Sequence, residues 1–318
     1  MERDLKKLVA SMTLEEKAGM CSGLDFWHLK HVERLGIPEV MVSDGPHGLR
    51  KQDDTGDHLG MNDSIKAVCF PPAALSACSF DRKLMERMGK TIGKEAQAND
   101  VSVVLGPAVN IKRSPLCGRN FEYYSEDPLI SGICAAAETQ GVQSHPGAGT
   151  TIKHFACNNL EDNRAYNNSH VTERTLREIY LKGFEIAIRK AQPLALMSSY
   201  NMLNGIHTAN SVDLLTKAAR QEWGFEGLIM TDWGTTAEPK PDLEGRMPLY
   251  GPSNAAACIK AGNDLLMPGS KEDVEEILAS VDAEEGTVKY PITLEELRGC
   301  AERILRIIAK SNTYTEES

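Results

Sequence analysis

The sequence lacks a C-x-x-C pair, a lysine- or arginine-rich run and any apolar stretch long enough to cross a bilayer. Its eight cysteines are scattered over 318 residues, a pattern typical of reduced, mostly buried thiols rather than of a zinc site. Residues 1–19 have the charged pattern of an amphipathic helix and lack the apolar segment of a secretion signal. We therefore predict a cytoplasmic protein without a metal or a cofactor.

The charge balance argues against two classes of partner. The formal net charge is −10. Nucleic acid backbones and anionic lipid surfaces attract basic protein surfaces, so we predict that the chain binds neither nucleic acid nor membrane. The acidic character does not identify a substrate, because it also favours solubility alone.

Repeats and low-complexity tracts are also absent, and apolar runs alternate with amphipathic segments. The apolar runs, interpreted as strands, are residues 39–44, 101–110, 149–155, 194–200, 227–233 and 263–269. Most are short and do not alternate with polar residues, which is typical of strands that a parallel sheet buries on both faces. The clearest helical segments are 81–98, 172–191 and 293–311, and capping boxes pair Thr13 with Glu16 and Thr293 with Glu296.

This alternation predicts an α/β protein, with either an open doubly wound sheet or a closed barrel. No G-x-G-x-x-G motif follows the first strand, so the open sheet lacks the usual mark of a dinucleotide-binding fold. A (β/α)8 barrel of the TIM type, complete or with one irregular or missing strand, suits the length better. We expect residues 1–318 to form one domain of this kind.

The predicted strands end in polar residues. These ends are Ser43–Asp44, Asn110 with Lys112 and Arg113, Lys153–His154, Ser199–Tyr200 and Thr231–Asp232–Trp233. In a barrel the carboxyl ends of all strands lie on one rim, where the active sites of such proteins are found. One polar end would be an ordinary turn, but five on the same rim predict a polar pocket.

The residue types in this pocket favour a sugar as the ligand. Carboxylates and cations provide the directional acceptors and donors that hydroxyl groups need, and the indole of Trp233 offers a flat face for sugar C–H groups. A phosphate site would call for a glycine-rich nest at a helix N-terminus, which the sequence does not show.

Several longer segments resemble the N-terminal barrel of glycoside hydrolase family 3, in the form found in bacterial β-glucosidases. They are VSDGPHGLR (42–50), GPAVNIKRSPLCGRNFEYYSEDP (106–128), TIKHFACNNLEDNR (151–164), TERTLREIYLKGFE (172–185), LMSSYNMLNG (196–205), EWGFEGLIMTDWG (222–234) and AGNDLLMPG (261–269). The resemblance covers nearly the whole chain in the right order, and the combination of DGP, GRNFE, KHF and DWG is highly specific.

The resemblance implies a retaining β-glycosidase that hydrolyses terminal non-reducing β-D-glucosyl residues. It implies that Asp232 is the nucleophile and forms a covalent glycosyl-enzyme ester. The residues that it implies contact the sugar are Asp44, Arg119, Lys153, His154, Met197, Tyr200 and Trp233. Because a nucleophilic carboxylate must stay ionised, we expect Lys153, Arg119 and Tyr200 to hold the pKa of Asp232 down.

Plainer interpretations stand beside these roles. Asp232 and Asp44 could each be an ordinary turn residue, since aspartate next to glycine is common in turns. Lys153 and His154 could belong to a structural ion pair. Glu122 is expected to be a structural partner of a neighbouring cation rather than a catalyst.

A retaining glycosidase also needs an acid/base carboxyl group about 5–5.5 Å from the nucleophile. In β-glucosidases of the family this group is a glutamate from a second, α/β sandwich domain, and the present chain ends where the barrel ends. The sequence therefore leaves the acid/base residue unknown. The expected partners are a β-glucoside or oligosaccharide substrate and a separate sandwich domain or subunit, whose docking site should be an exposed apolar patch.

Three interpretations stay open from the sequence. The chain is one part of a β-glucosidase, with its acid/base supplied in trans or absent. Alternatively it is a single-domain glycosidase of the β-xylosidase or N-acetylglucosaminidase type, with an in-chain acid for which Glu161, or His170 with Asp162, are poor candidates. The third interpretation is a non-catalytic or poorly active sugar-binding barrel. The preferred sugar, the linkage and the oligomeric state are not fixed by the sequence.

Overall fold

The computed structural model of the chain describes residues 5–52, 64–165, 167–238, 250–284 and 286–311. The strands are β1 (His28–Leu29), β2 (Val40–Asp44), β3 (Val103–Leu105), β4 (Gly149–Phe155), β5 (Asn168–Ser169), β6 (Ala195–Ser198), β7 (Met202–Leu203), β8 (Ile206–His207) and β9 (Leu228–Met230). The α-helices are α1 (Leu5–Ser11), α2 (Leu14–Met20), α3 (Ala73–Ala77), α4 (Arg82–Ala98), α5 (Pro128–Val142), α6 (Glu173–Thr175), α7 (Lys182–Ala191), α8 (Ala255–Ala261), α9 (Lys271–Ser280) and α10 (Leu294–Lys310). Short 3-10 helices span Glu33–Leu35 and Thr208–Asn210, and π-helices span Leu176–Tyr180 and Asp213–Glu222.

Six strands form one curled sheet in the order β1-β2-β3-β4-β6-β9. All neighbours from β2 to β9 run parallel, whereas β1 is antiparallel to β2. Strands β3, β4, β6 and β9 are buried throughout their length, as expected for a parallel sheet covered on both faces. The predicted α/β class and five of the six predicted strands are therefore confirmed.

The sixth predicted strand, residues 263–269, is not a strand in the structure. Its residues instead make single pairings, Leu265 with Met230 and Leu266 with Ser22. The carbonyl of Leu266 also accepts a hydrogen bond of 3.0 Å from the N–H of Gly23. Residues 263–269 thus lie between β9 and the residues that follow α2, as a strand there would. They pair over too few residues to form a strand.

Two features of the chain explain why this pairing stops early. The N–H of Met267 donates to the side-chain Oγ1 of Thr231 at 2.9 Å, so it is not available to a neighbouring strand. The next residue, Pro268, has no N–H to donate. Sequence periodicity could not reveal this, because the residues themselves are apolar and strand-like.

Helices α4, α5 and α7 pack side by side over one part of the sheet. The predicted helix 81–98 is confirmed as α4, and its N-cap Asp81 accepts hydrogen bonds from the first turn. Helices α4 and α5 approach closely because Gly89 faces the backbone of α5. A Cβ at Gly89 would lie 2.2 Å from the carbonyl oxygen of Glu138, a distance that side chains cannot adopt.

The segment predicted as one helix over 172–191 contains a π-helix between α6 and α7. A π-helical turn inserts a residue relative to the α-helical period and rotates the side chains that precede it. Phe184 and Ala187, both in α7, are fully buried, whereas Ile179, within the π-helix, is 37% exposed. The prediction of one continuous helix is therefore confirmed only in its second half.

The N-terminal pattern predicted as one helix is two short helices in the structure. Helix α1 ends at Ser11, and Thr13 caps α2. The capping box of Thr13 with Glu16 is confirmed, as is that of Thr293 with Glu296 at α10. The first box explains the break, because an N-cap residue has an extended backbone that ends the preceding helix.

All eight cysteines are free, and six of them are buried. Burial raises the pKa of Cys157 to about 12, which favours the inert thiol at neutral pH. Across the described ranges, none of the helices combines the length and the apolar character that crossing a bilayer requires.

Candidate active site

One cavity of about 980 Å³ opens at the carboxyl ends of the central strands. Its lining includes every site residue predicted from the sequence, namely Asp44, Arg119, Lys153, His154, Met197, Tyr200, Asp232 and Trp233. Asp44 is the last residue of β2, Lys153 and His154 lie in β4, Met197 lies in β6, and Asp232 follows β9 by two residues. The parallel sheet thus brings residues from distant parts of the sequence to one rim.

One predicted polar end does not contribute in the expected way. Lys112 and Arg113 do not line the cavity, and the Nε of Arg113 donates to the hydroxyl of Tyr180 at 3.0 Å. Asn110 is buried beside β4, where its side chain makes hydrogen bonds of 2.7 and 2.8 Å with the backbone N–H and carbonyl of His154. Asn110 therefore positions a cavity residue, while the two cations lie elsewhere.

Asp232 lies in the cavity with one oxygen held and the other free. Its Oδ1 accepts a 2.7 Å hydrogen bond from the backbone N–H of Trp233. Its Oδ2 has no hydrogen-bond partner among the described residues, although the side chain is largely buried. Burial raises the pKa of Asp232, and the charges of Arg119 and Arg164 oppose this rise without cancelling it. The expectation that neighbouring cations hold this pKa down was therefore wrong, because desolvation outweighs them.

His154 is a neutral neighbour of this carboxylate. Burial lowers the pKa of His154 well below its ordinary value, and the nearby cations Arg119 and Lys153 lower it further. Its Nε2 lies 3.9 Å from the Oδ2 of Asp232, and its Nδ1 lies 3.4 Å from the hydroxyl of Tyr123. A lowered pKa disfavours His154 as the cation of a structural ion pair.

Two cations of the cavity are paired with carboxylates. The Nζ of Lys153 lies 3.5 Å from the Oδ1 of Asp44, and Arg119 donates from its Nε to the Oε1 of Glu122. Burial raises the pKa of Glu122, but Lys153 and Arg119 outweigh burial and leave it below the ordinary value. Glu122 is thus the structural partner of a cation, as the sequence predicted.

Tyr200 connects the two strands that flank the carboxylate. Its hydroxyl donates to the carbonyl oxygen of Trp233 at 2.6 Å. Burial and the nearby charge of Asp232 raise the pKa of Tyr200 well above its ordinary value, so the hydroxyl keeps its proton. The hydroxyl also lies within hydrogen-bonding reach of the Asp232 side chain, which contributes to this shift, but in the structure its proton is directed to the carbonyl oxygen of Trp233.

The indole of Trp233 belongs to an aromatic group at the side of the cavity. Its Nε1 donates to the carbonyl oxygen of Phe26 at 2.8 Å. The ring centroids of Trp27 and Phe26 lie 5.9 and 6.2 Å from that of Trp233. These contacts hold the indole as a fixed wall beside Asp232.

The sequence interpretation did not place Arg164 in the cavity and named Glu161 only as a poor candidate for an in-chain acid. Both residues line the cavity. The Nη1 of Arg164 donates to the Oε2 of Glu161 at 2.8 Å, and its guanidinium lies 4.8 Å from the ring centroid of Tyr200. The available signal was a cluster of charges directly after β4. By contrast, Asp162 and His170 are exposed and do not line the cavity.

A largely parallel sheet with a charged and aromatic cavity at its strand ends defines an α/β protein with a binding site in the position typical of barrel folds. The chain belongs to glycosyl hydrolase family 3, since the model of the glycosyl hydrolase family 3 N terminal domain matches residues 29–307.

Curated relatives and solved structures agree with this membership. Thermostable β-glucosidase B of Acetivibrio thermocellus is 52% identical over 254 residues, which are 80% of this chain and 34% of that protein. An exo-α-(1→6)-L-arabinopyranosidase of Bifidobacterium breve is 44% identical, over 86% of this chain and 34% of that protein. The structure of β-glucosidase 3B from Thermotoga neapolitana in complex with glucose superposes with a TM-score of 0.82 at 37% identity, over 96% of this chain and 42% of that one. The chain thus spans about a third of the length of the curated relatives.

Proposed function

We propose that the chain carries the nucleophile and sugar site of a retaining β-glycosidase that releases terminal non-reducing β-D-glucosyl residues. The observation that carries the proposal is the free, buried Oδ2 of Asp232 in a cavity lined by cations, hydroxyl groups and indoles. In the proposed reaction this oxygen attacks the anomeric carbon, the bond to the leaving oxygen breaks, and a glycosyl ester of Asp232 forms.

The remaining cavity residues have proposed roles in holding the sugar. Asp44 and Lys153 both line the cavity. The carboxylate of Asp44 and the ammonium group of Lys153 can each bind sugar hydroxyl groups. Arg119 and neutral His154 offer further donors. The indole of Trp233 packs against the C–H face of the ring. Met197 forms an apolar wall.

The source of the acid/base group follows from the pairing of the other cavity carboxylates. Asp44, Glu122 and Glu161 each contact a cation. None of the three is left unpaired to face a leaving oxygen, and the lowered pKa of Glu122 is the opposite of what a general acid needs. We therefore propose that a glutamate from a second domain or subunit completes the site. The β-glucosidase relatives are about three times as long as the part that this chain matches, which leaves room in them for such a domain.

We also propose how the barrel closes and where the second domain docks. The single pairings of Leu265 and Leu266 complete an irregular (β/α)8 barrel of the TIM type. The second domain docks beside the mouth of the cavity, where Phe121 and Val68 line the opening and are 55% and 43% exposed. Exposed apolar side chains of this kind favour a protein partner.

The nucleophile can be tested without the acid/base group. The reagent is a 2-deoxy-2-fluoro-β-glucoside with a dinitrophenyl leaving group. This leaving group departs without protonation, and the fluorine slows hydrolysis of the ester that remains on the enzyme. Intact mass and peptide mapping should show one adduct on Asp232. Asp232→Asn should not react, while the exposed control Asp162→Asn should react at the rate of the parent chain.

Two outcomes contradict the proposal. An adduct on another residue would reject Asp232 as the nucleophile. Binding of glucose by the folded chain with no adduct would instead favour the non-catalytic sugar-binding alternative.

A further inference from the structure

A series of contacts runs from His154, which lies beside Asp232, into the loop that follows β4. The hydroxyl of Tyr123 lies near the Nδ1 of His154 and accepts a 3.1 Å hydrogen bond from the Nδ2 of Asn158. The same Nδ2 atom lies 3.3 Å from the Oε1 of Glu161. These contacts connect the ring of His154 to the loop that carries Glu161.

The series continues to the other side of the carboxylate. The Oε2 of Glu161 accepts from Arg164 at 2.8 Å, and the guanidinium of Arg164 lies over the ring of Tyr200. Tyr200 donates to Trp233, whose N–H in turn donates to the Oδ1 of Asp232. The contacts therefore start and end at groups that flank Asp232, and Glu161 lies in the middle of them.

Arg164 is the member of this series that could disturb the carboxylate. Its side chain is 38% exposed in the cavity, so it is not locked by packing. It is close enough for its charge to oppose the effect of burial on Asp232. The Oδ2 of Asp232 has no partner among the described residues, and a guanidinium presents several N–H groups to any carboxylate within reach.

We propose that Glu161 is a positioning residue, which holds the guanidinium of Arg164 away from the Oδ2 of Asp232 and so keeps this oxygen free to react. The inference rests on the proposed role of Asp232 as the nucleophile. Glu161 competes for Arg164 through a direct 2.8 Å ion pair and is itself oriented by Asn158. Without its charge, Arg164 is able to turn towards Asp232, with which its charge already interacts. An oxygen that accepts from a guanidinium is a poorer nucleophile.

The substitution Glu161→Gln tests this with little change in shape, because glutamine keeps an oxygen that can accept from Asn158. The covalent step is again labelling by the dinitrophenyl 2-fluoroglucoside: a bond forms between Oδ2 of Asp232 and the anomeric carbon, and dinitrophenolate leaves with the bonding electrons. We expect Glu161→Gln to label about tenfold more slowly. The reason is that Arg164 would lower the pKa of Asp232 by roughly one unit and would obstruct access to its Oδ2. The double variant Glu161→Gln with Arg164→Met should label faster than the single variant.

A second readout does not depend on labelling. In chains with ¹³C-labelled aspartate, the titration of Asp232, assigned by comparison with Asp232→Asn, should move to lower pH in Glu161→Gln and return upward in the double variant. The matched control is Glu178→Gln, which removes the partner of Arg174 from an exposed pair on a helix surface and should change neither readout.

The outcomes separate this inference from the proposed function. If the parent chain is not labelled but the titration moves as expected, the role of Glu161 stands and the proposed nucleophile fails. If Asp232 titrates in Glu161→Gln as in the parent chain, or if the double variant labels no faster than the single one, the positioning role is overturned. A purely structural role of Glu161 predicts that the second substitution makes the defect equal or worse.

Discussion

The Nε2 of His154 lies 3.9 Å from the Oδ2 of Asp232, and the contact joins a neutral ring to a carboxylate rather than two opposite charges. The distance is longer than a hydrogen bond, so the ring neither blocks nor neutralises the oxygen. A basic histidine at this place would hold the carboxylate in an ion pair. Burial, reinforced by the cations Arg119 and Lys153, prevents this by keeping the pKa of His154 low, and the Oδ2 of Asp232 stays without a hydrogen-bond partner among the described residues.

The raised pKa of Asp232 predicts the acidic limit of its reactivity. A carboxyl group whose pKa is raised stays protonated, and therefore unreactive, up to a higher pH. The rate of labelling by the fluoroglucoside should fall on acidification with a midpoint above 3.8, the ordinary value for aspartate. In Arg119→Met the midpoint should rise further, because the largest opposing charge is removed. A midpoint at or below 3.8 in the parent chain would contradict the effect of burial.

Tyr200→Phe should loosen the turn that holds Asp232. The variant loses the 2.6 Å hydrogen bond to the carbonyl of Trp233, at a cost of about 1 kcal/mol in the free energy of unfolding. We expect labelling to slow by about tenfold, since Trp233 orients the carboxylate. Tyr180→Phe is the matched control, because the hydroxyl of Tyr180 contacts Arg113 away from the cavity. Equal rates for the two variants would reject the role of Tyr200.

Asp264 should be among the residues most important for stability. It is fully buried, and its two oxygens contact Arg220 at 2.6 Å and Arg303 at 2.7 Å. Asp264→Asn leaves two partly buried guanidinium groups without their shared buried anion and should lower the free energy of unfolding in urea by about 3 kcal/mol. The control Asp213→Asn removes an exposed pair with Lys217 and should cost less than about 0.5 kcal/mol. A small loss for Asp264→Asn would show that the cluster tolerates its charge imbalance.

Glu138 should make stability depend on pH near neutrality. It is buried between α4 and α5, accepts a 2.5 Å hydrogen bond from the hydroxyl of Tyr124, and burial raises its pKa to about 7. The folded chain therefore holds a proton that the unfolded chain releases at the ordinary value of 4.5. Its contribution to stability is complete below that value and is lost as the pH rises to about 7, by about 3 kcal/mol in total.

Glu138→Gln isolates this effect, because glutamine stays neutral and can still accept from Tyr124. The free energy of unfolding of the variant, minus that of the parent chain, should increase by about 3 kcal/mol from pH 4.5 to 7. A difference that does not change with pH would show that Glu138 ionises normally in the folded state.

Much of the cavity could be predicted from the sequence because parallel strands end on one rim. Asp44, Lys153 and Asp232 each follow or end an apolar run, and the sheet brings all three to the cavity. The same argument failed for Lys112 and Arg113. The chain leaves the rim after β3 in a long loop, and neither periodicity nor residue type fixes the direction of a loop.

The electrostatics were harder to predict than the positions. The sequence shows which cations could approach Asp232, but the depth of burial depends on the packing of Trp233 and Tyr200 around it. That packing decides the direction of the pKa shift. The pair of Glu161 and Arg164 was missed for a related reason, since the loop conformation that turns both residues into the cavity comes from tertiary contacts.

The pairing of Leu266 with Ser22 has a consequence for how the chain is made. Ser22 leaves the ribosome well before Leu266, which follows it by about 240 residues in the sequence. Until then the segment around Ser22 is paired only on the side of Leu29, and the outer edge of β9 stays open once β9 has emerged. Open sheet edges are sites of wrong pairing between chains. The pairing that joins these two edges is therefore a long-range event, and the segment around Ser22 has an open side for much longer than β9 does.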